Sequence, residues 1–159
     1  MAGFLPKQVA DFKKIPNTKV AIVSSSWHPQ CVQGMADRCI AELKAVGVDE
    51  ADIEQHILPG ALELPYAARQ LFEKRPQLDA VIAFGVVLKG ATTHDDSVLQ
   101  TVVDGFASVG DRFNKPIINE VIGVTCIEDA ELRSNETINN KGVEAVYALS
   151  EIISWQRSL

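Results

Sequence analysis

The sequence DAVIAFGVVLKGATTH, residues 79–94, indicates the fold more clearly than any other stretch. From Ala80 to Leu88 it is apolar at odd and even positions alike, which is typical of a strand covered by helices on both faces. A polar loop of small residues follows. Apolar residues then recur with a helical period, at Val98, Val102, Phe106 and Val109. The stretch therefore predicts a buried strand, a loop and a helix.

The same alternation of strand and helix continues on both sides of this stretch. Three further strands are predicted, at Lys19–Ser25, at Ile53–Leu58 and from Pro116 onward. Helices are predicted to begin near Pro29 and Leu62, and a last helix is predicted over Val143–Trp155. This order predicts an α/β three-layer αβα sandwich around a mostly parallel four-stranded sheet.

The composition is ordinary for one globular domain and excludes several classes of protein. The 159 residues are 47% hydrophobic and carry a net charge of −6, which argues against a general binder of nucleic acid or of anionic membranes. The longest apolar run is far shorter than a membrane helix requires. The N-terminal residues contain no continuous apolar signal segment. Cys31, Cys39 and Cys126 lack metal-site spacing and predict buried thiols in a reducing cytosol.

Ligands of parallel sheets bind at the carboxyl ends of the strands, so the loops there are the places to look for a site. In Lys89–His94, small residues and the N–H groups of the next helix favour an anion, although a plain turn capped by Thr gives the same pattern. His94 is suited to proton transfer near neutral pH or is simply an exposed turn histidine.

Three other loops offer residues suited to an organic ligand. Trp27 follows the first strand and is suited to stacking on a planar ring, or to the core. Glu63 is suited to accepting hydrogen bonds from polyol hydroxyls, or to the first turn of a helix. Arg133 and Lys141 are eight residues apart in the sequence and either clamp a phosphate or are solvated surface charges.

Together these segments resemble the 6,7-dimethyl-8-ribityllumazine synthase family, the penultimate enzymes of riboflavin synthesis. The most specific blocks are Pro59–Pro65 (PGALELP), Gly90–His94 (GATTH) and Asn140–Ala145 (NKGVEA), and the resemblance extends from about Val20 to Ile152. It implies condensation of 5-amino-6-ribitylamino-2,4-pyrimidinedione with 3,4-dihydroxy-2-butanone 4-phosphate, with release of phosphate and water. No cofactor and no metal are implied.

The resemblance also implies the assembly and the cellular setting. The family has a flavodoxin-like fold and forms homopentamers, sometimes decamers or icosahedral shells, with active sites between adjacent subunits. We expect a cytoplasmic protein whose partners are these small-molecule substrates and copies of itself, without nucleic acid or membrane. Residues 1–18 are expected to form an arm that could add an edge strand to a neighbour's sheet, and residues 19–159 a single domain.

The resemblance implies a role for each matching residue. Trp27 stacks on the pyrimidinedione, Glu63 accepts from a ribityl hydroxyl, and His94 transfers protons. The other residues implied in substrate binding are Ala61 and Leu62 for the ribityl chain, Val87, Leu88 and Lys89 at the strand end, Ala91 and Thr92 in the phosphate loop, and Asn119, Arg133 and Lys141. Asn119, Arg133 and Lys141 would reach the site from the neighbouring subunit.

Several positions depart from the family pattern. Leu62, Asp95, Ser97 and Asn119 stand where aromatic residues are common, and Thr137 stands where a lysine is common. A low-activity or non-catalytic paralogue that binds a flavin or a lumazine is therefore an alternative. A flavodoxin-like electron-transfer module is a third hypothesis. It is disfavoured because flavin phosphate loops are typically rich in Ser and Thr after the first strand, and Ser24–Ser26 matches such a loop only in part.

Overall fold

The computed structural model describes residues 9–159, which form one parallel sheet between two layers of helices. The strands are β1 (Val20–Ser25), β2 (Ile53–Leu58), β3 (Ala80–Leu88) and β4 (Ile117–Val124), in the order β2-β1-β3-β4. Each neighbouring pair is parallel, with Val20 opposite Ile53 on one side and Ala80 on the other. The predicted α/β sandwich is confirmed, and all four of these strands run parallel.

Five α-helices connect and cover the strands in the described part of the chain. They are α1 (Pro29–Ala45), α2 (Leu64–Lys74), α3 (His94–Phe113), α4 (Ile127–Leu132) and α5 (Lys141–Arg157). Helices α1 and α5 bury one face of the sheet, and α2 and α3 bury the other. Val20 and Ile22 of β1 face the first layer, whereas Ala21 and Val23 face the second. This two-sided burial explains why β3 is apolar along its whole length and why β1 is apolar up to its last two residues, Ser24 and Ser25.

Local sequence signals set the bounds of α1. Pro29 occupies its first turn, where the missing N–H of proline has no cost, and Cys31, Met35, Cys39 and Leu43 form its buried stripe. Gly47 lies just past the end with a φ of +96°, a conformation that favours glycine. The predicted helix after Pro29 is confirmed. The prediction of three buried thiols is wrong for Cys126, which is exposed because it lies between the end of β4 and the start of α4.

The N-terminal arm predicted over residues 1–18 is described only in part, since residues 1–8 lie outside the described residues. From residue 9 onward the segment packs on its own chain. Phe12 and Ile15 are buried with the layer that holds α1 and α5, and the Ile15 N–H donates to the Val46 carbonyl at 2.8 Å. Within residues 9–159, no helix has both the length and the apolar content needed to cross a membrane.

Candidate active site

A cleft opens at the carboxyl edge of the sheet between the ends of β1 and β3. The chain leaves β1 to form β2 on one side, while β3 lies on the other side of β1, so the connections diverge at this point. Such divergence creates a crevice above the sheet, the usual ligand position in open parallel sheets. The cavity measures about 540 Å³, which suits a small organic ligand.

The loop after β1 forms the first wall. Ser25, Trp27 and His28 line the cavity, and Trp27 is 67% exposed, leaving its indole free to contact a ligand. Ser26 ties this loop to the next one, because its N–H donates to the Leu58 carbonyl at 2.9 Å and its hydroxyl donates to the Pro59 carbonyl at 2.7 Å. These two bonds hold the indole at the mouth of the cleft.

His28 has an unusual backbone for a residue other than glycine. Its φ of 52° and ψ of 57° are left-handed, and it directly precedes α1. Non-glycine residues in this conformation are uncommon and concentrate at functional sites. Because His28 also lines the cavity, the cleft contains two imidazoles, those of His28 and His94.

The loop after β2 forms the second wall, with Gly60 and the 3₁₀ turn Ala61–Glu63 lining the cavity. A Cβ at Gly60 would lie 3.0 Å from Glu63 Oε2 and 3.7 Å from Trp27 Nε1. The carboxylate and the indole therefore both pack against this glycine, and a side chain there would push against them. The absence of a Cβ at position 60 is what brings an acceptor and an aromatic ring to the same side of the cleft.

The third wall combines the end of β3 with the start of α3. Val86, Val87 and Leu88 line the cavity from the strand, and His94 and Val98 line it from the first two turns of the helix. His94 is the first residue of α3, so its imidazole lies beside N–H groups that have no partner within the helix. An imidazole and the start of a helix, whose free N–H groups favour anions in general, thus share one end of the cleft.

The rest of the predicted phosphate loop lies outside the cavity lining. Lys89, Ala91 and Thr92 are exposed between β3 and α3, and the Lys89 N–H donates to the Val124 carbonyl at 2.7 Å. The Lys89 ammonium pairs with Asp96 at 3.2 Å. Lys89 therefore provides less free positive charge for an anion than its position in the sequence suggests.

The electrostatics of the cleft are unusual for a site that is to bind a phosphate. Glu63 is the only lining residue that carries a formal charge apart from the titratable imidazoles, and none of the described residues that line the cavity is Lys or Arg. Backbone N–H groups alone would have to stabilise a phosphate dianion. The described lining of the cavity would therefore contribute no side-chain cation to a phosphate bound here.

The remaining predicted site residues lie elsewhere on the chain. Asn119 is half-buried on β4, where its Oδ1 accepts from the Val121 N–H at 3.0 Å. Arg133 is exposed after α4 and donates to the Asp129 carbonyl at 2.9 Å, while its own carbonyl accepts from the Lys141 N–H at 2.8 Å. None of these three residues, Asn119, Arg133 and Lys141, lines the cavity of its own chain.

Lys141 belongs to a partly buried charge cluster between β4 and α5. Its ammonium lies 2.6 Å from Glu144 Oε2 and 3.6 Å from Glu120 Oε2. Burial raises the pKa of Glu120 to about 7, although the Lys141 ammonium opposes this shift. Burial also raises the pKa of the neighbouring Cys39 thiol, so this thiol stays protonated and unreactive at neutral pH.

The structure brings seven of the predicted site residues together around one cavity: Trp27, Ala61, Leu62, Glu63, Val87, Leu88 and His94. Ser25, His28, Gly60, Val86 and Val98 also line it and were not among the predicted site residues. His28 could have been included because it directly follows Trp27 in the sequence. Ser25 was noted in the sequence only as the end of a predicted strand and as part of Ser24–Ser26, a partial match to a flavin phosphate loop, and not as a residue of this site.

Sequence comparison supplies the relationship that the cleft alone does not. A model of the family described as 6,7-dimethyl-8-ribityllumazine synthase matches residues 17–157. The chain belongs to the lumazine synthase family. Nothing in these comparisons favours the electron-transfer or flavin-binding alternatives.

Individual members of the lumazine synthase family align over most of the chain. A 6,7-dimethyl-8-ribityllumazine synthase from Leuconostoc mesenteroides is 32% identical over 87% of this chain and 88% of its own length. One from Xanthomonas oryzae is 32% identical over 87% of this chain and 90% of its own. One from Nitrosomonas europaea is 38% identical over 74% of this chain and 71% of its own length.

Among solved structures, a GDP-L-fucose synthetase from Naegleria fowleri bound to NADP superposes with a TM-score of 0.43 at 15% identity. The superposition covers 99% of this chain and 49% of the GDP-L-fucose synthetase chain. A similarity this low supports no conclusion about the fold or the function.

Proposed function

We propose that the cleft condenses 5-amino-6-ribitylamino-2,4-pyrimidinedione with 3,4-dihydroxy-2-butanone 4-phosphate to give 6,7-dimethyl-8-ribityllumazine. The observation that carries this proposal is the convergence of Trp27, Glu63 and His94 on one cavity in a chain of the lumazine synthase family. An aromatic face, a polyol acceptor and a proton-transfer group are the three chemistries that this pair of substrates needs.

The pyrimidinedione would occupy the inner part of the cleft. The exposed indole of Trp27 offers a flat surface for the ring, and aromatic stacking of this kind adds about 0.5–1.5 kcal/mol beyond the area buried. Glu63 would accept a hydrogen bond from a ribityl hydroxyl, beside Ala61 and Leu62. The backbone at Val87 and Leu88 would bind the polar edge of the ring.

His94 would act as the general acid and base that transfers protons during the reaction. The primary amine of the pyrimidinedione attacks the ketone of the butanone phosphate, and loss of water leaves an imine. Elimination of phosphate, attack of the ribitylamino nitrogen on the remaining carbonyl and loss of a second water close the second ring and complete the product. Each step moves a proton to or from nitrogen, oxygen or carbon, and an imidazole is well suited to such transfers near neutral pH.

The phosphate would bind at the start of α3. The N–H groups of the first helical turn, near Ala91 and Thr92, would stabilise its oxygens through fixed dipoles that require no reorganisation. The cavity lining contains no Lys or Arg among the described residues, so a guanidinium from another subunit is needed to balance the charge. We assign this role to Arg133 of a neighbouring subunit, with Lys141 and Asn119 of that subunit bordering the same site.

A homo-oligomer follows from this arrangement. Among the described residues, β2 and β4 are the outermost strands of the sheet and each is paired on one side only, and Ile57 on β2 is 70% exposed. Exposed strand edges and large apolar side chains are features that subunit contacts cover. We propose a ring of subunits, a homopentamer as the basic assembly, in which each cleft is completed by the next chain. Each chain has three free thiols, at Cys31, Cys39 and Cys126, and free thiols fit a cytoplasmic location.

A direct assay tests the proposed activity. Purified protein is mixed with both substrates, and formation of the lumazine is followed by its absorbance and fluorescence against the uncatalysed condensation at the same concentrations. We expect the protein to accelerate the reaction at catalytic concentrations. Tight binding of the pyrimidinedione without acceleration would identify a binding protein and refute the enzyme.

A further inference from the structure

Ser25 contains a buried hydroxyl that has no hydrogen-bond partner. It is 3% exposed, and its Oγ is the one buried side-chain oxygen or nitrogen that lacks a partner among the described residues. An unpaired buried hydroxyl costs about 1–3 kcal/mol, because the group loses water and gains nothing in return. Such a group in a folded protein calls for an explanation in terms of function.

Two residues close to this hydroxyl, Gly85 and Val121, have no polar side chain. Ser25 is the last residue of β1 and lies beside β3 at Gly85, where a Cβ would be only 3.1 Å from the Ser25 Oγ. The same Cβ would lie 3.3 Å from a methyl group of Val121 on β4. Neither neighbour has a side chain that forms hydrogen bonds, so an alanine at position 25 would fit with less cost to the folded protein.

Ser25 also borders the cleft at its base, between the loop that carries Trp27 and the end of β3. A serine side chain moves among three staggered positions by rotation about one bond. Because its hydroxyl has no protein partner, no internal hydrogen bond is broken when it turns toward a ligand. Within residues 9–159, the one buried polar side-chain atom without a partner is therefore also one that a ligand in the cleft can satisfy.

We propose that the Ser25 hydroxyl is a binding group for the pyrimidinedione substrate, hydrogen-bonding a polar group at the buried end of that molecule. The inference rests on the proposed function and names a residue that holds the first substrate in position. A hydroxyl both donates and accepts, so it satisfies a ring carbonyl or a ring N–H. The hydrogen bond missing in the empty cleft forms on binding and favours the complex.

The test compares Ser25→Ala with wild type in the full chain. Titration calorimetry measures the Kd of the pyrimidinedione, and steady-state kinetics measures the KM of the butanone phosphate. We expect the Kd to rise by about 3- to 10-fold, the loss of one neutral hydrogen bond, with the KM for the second substrate unchanged. The thermal midpoint of the unliganded protein should stay the same or rise, because the substitution removes an unpaired polar group.

Ser24→Ala is the matched control. Ser24 is also buried on β1, adjacent to Ser25 in the strand, and it does not line the cavity. We expect this variant to bind the pyrimidinedione as wild type does. A uniform effect of removing a buried serine hydroxyl from this strand would appear in both variants.

Three results would overturn the proposal. An unchanged Kd for Ser25→Ala would show that the hydroxyl does not bind substrate. A weaker Kd accompanied by a lower thermal midpoint would assign Ser25 a structural role. A wild-type protein that does not bind the pyrimidinedione would refute both this proposal and the proposed function. If wild type binds the pyrimidinedione but does not accelerate condensation, only the proposed function fails, and the Ser25 comparison still decides the hydroxyl's role.

Discussion

His94 combines two properties because it is the first residue of α3. Its imidazole lines the cleft, and the free N–H groups of the helix start lie next to it. A phosphate bound by those N–H groups would bring its leaving oxygen close to a proton donor. Proximity of this kind supplies much of the rate gain in a reaction between two substrates.

Replacement of His94 should therefore affect turnover more than binding. For His94→Ala we expect kcat to fall by roughly 10- to 100-fold, at or below the lower end of the usual range for general acid–base groups, because the helix dipoles remain. The Kd of the pyrimidinedione should change little. Steady-state kinetics with both substrates, together with calorimetry, checks both expectations.

His56→Ala is the control for this substitution. His56 is on β2 outside the cavity lining, with its Nε2 at 3.3 Å from Glu54 Oε2. Its replacement should leave kcat unaltered. Equal rates for His94→Ala and wild type would remove His94 from the mechanism.

At the scale of elements, β4 and α5 meet through the charged cluster of Glu120, Lys141 and Glu144. The Asn140 Oδ1 caps α5 by accepting from the Gly142 N–H at 2.7 Å. A Cβ at Gly142 would lie 2.6 Å from the Cys39 backbone nitrogen of α1, so the start of α5 sits directly against that helix. This close packing removes water from Glu120 and raises the pKa of its carboxyl to about 7.

The raised pKa makes the stability of this contact depend on pH. Folded Glu120 holds its proton more tightly than the unfolded chain does, where the carboxyl has a pKa of about 4.5. Its stabilising contribution is complete below that pH and declines as the pH rises. It is lost above about pH 7, and the full change is on the order of 3 kcal/mol.

Urea unfolding of wild type and Glu120→Gln at equal protein concentrations measures this effect. We expect the free energy of unfolding of wild type to fall relative to the variant between about pH 5 and about pH 8. Glu128→Gln on the exposed surface of α4 provides the control. Its free energy of unfolding should change with pH as that of wild type does. If wild type and Glu120→Gln differ in free energy of unfolding by the same amount at both pH values, the pKa of Glu120 is not raised by burial.

At the scale of the whole molecule, an active site shared between subunits predicts complementation between variants. If the proposed arrangement holds, His94→Ala affects the cleft of its own chain, and Arg133→Ala affects the cleft of its neighbour. Alone, Arg133→Ala should raise the KM of the butanone phosphate by roughly 10-fold or more, the loss of a charge-assisted hydrogen bond. Co-assembly at equal amounts should restore about a quarter of the sites, those that pair an intact His94 with an intact Arg133.

The control for complementation pairs His94→Ala with Glu63→Ala. Both residues line the cleft of the same chain, so no mixed assembly contains an intact site. Activity that recovers in this control as well would indicate a cause other than shared sites. A monomer by light scattering, or no recovery with Arg133→Ala, would place the phosphate cation elsewhere.

The amino-acid sequence by itself determined the order of strands and helices, the parallel sheet and the edge of the sheet where the cleft opens. These features follow from short-range patterns. Examples are the apolar run of Ala80–Leu88, the Pro29 start of α1 and the Gly47 that follows its end. Trp27, Glu63 and His94 were predictable for the same reason, because residues that follow parallel strands meet at one edge.

Only the tertiary structure decided which polar groups are buried from solvent and which of them lack a hydrogen-bond or ionic partner. The Ser25 hydroxyl has no hydrogen-bond partner among the described residues, and Gly85, which is distant in the sequence, lies beside it without a side chain. Glu120 is buried because α5 packs closely on α1. The cleft lacks its own cation because Arg133 and Lys141 are held near the start of α5. Solvation and charge depend on all the atoms surrounding a group, and those atoms come together only when distant segments pack.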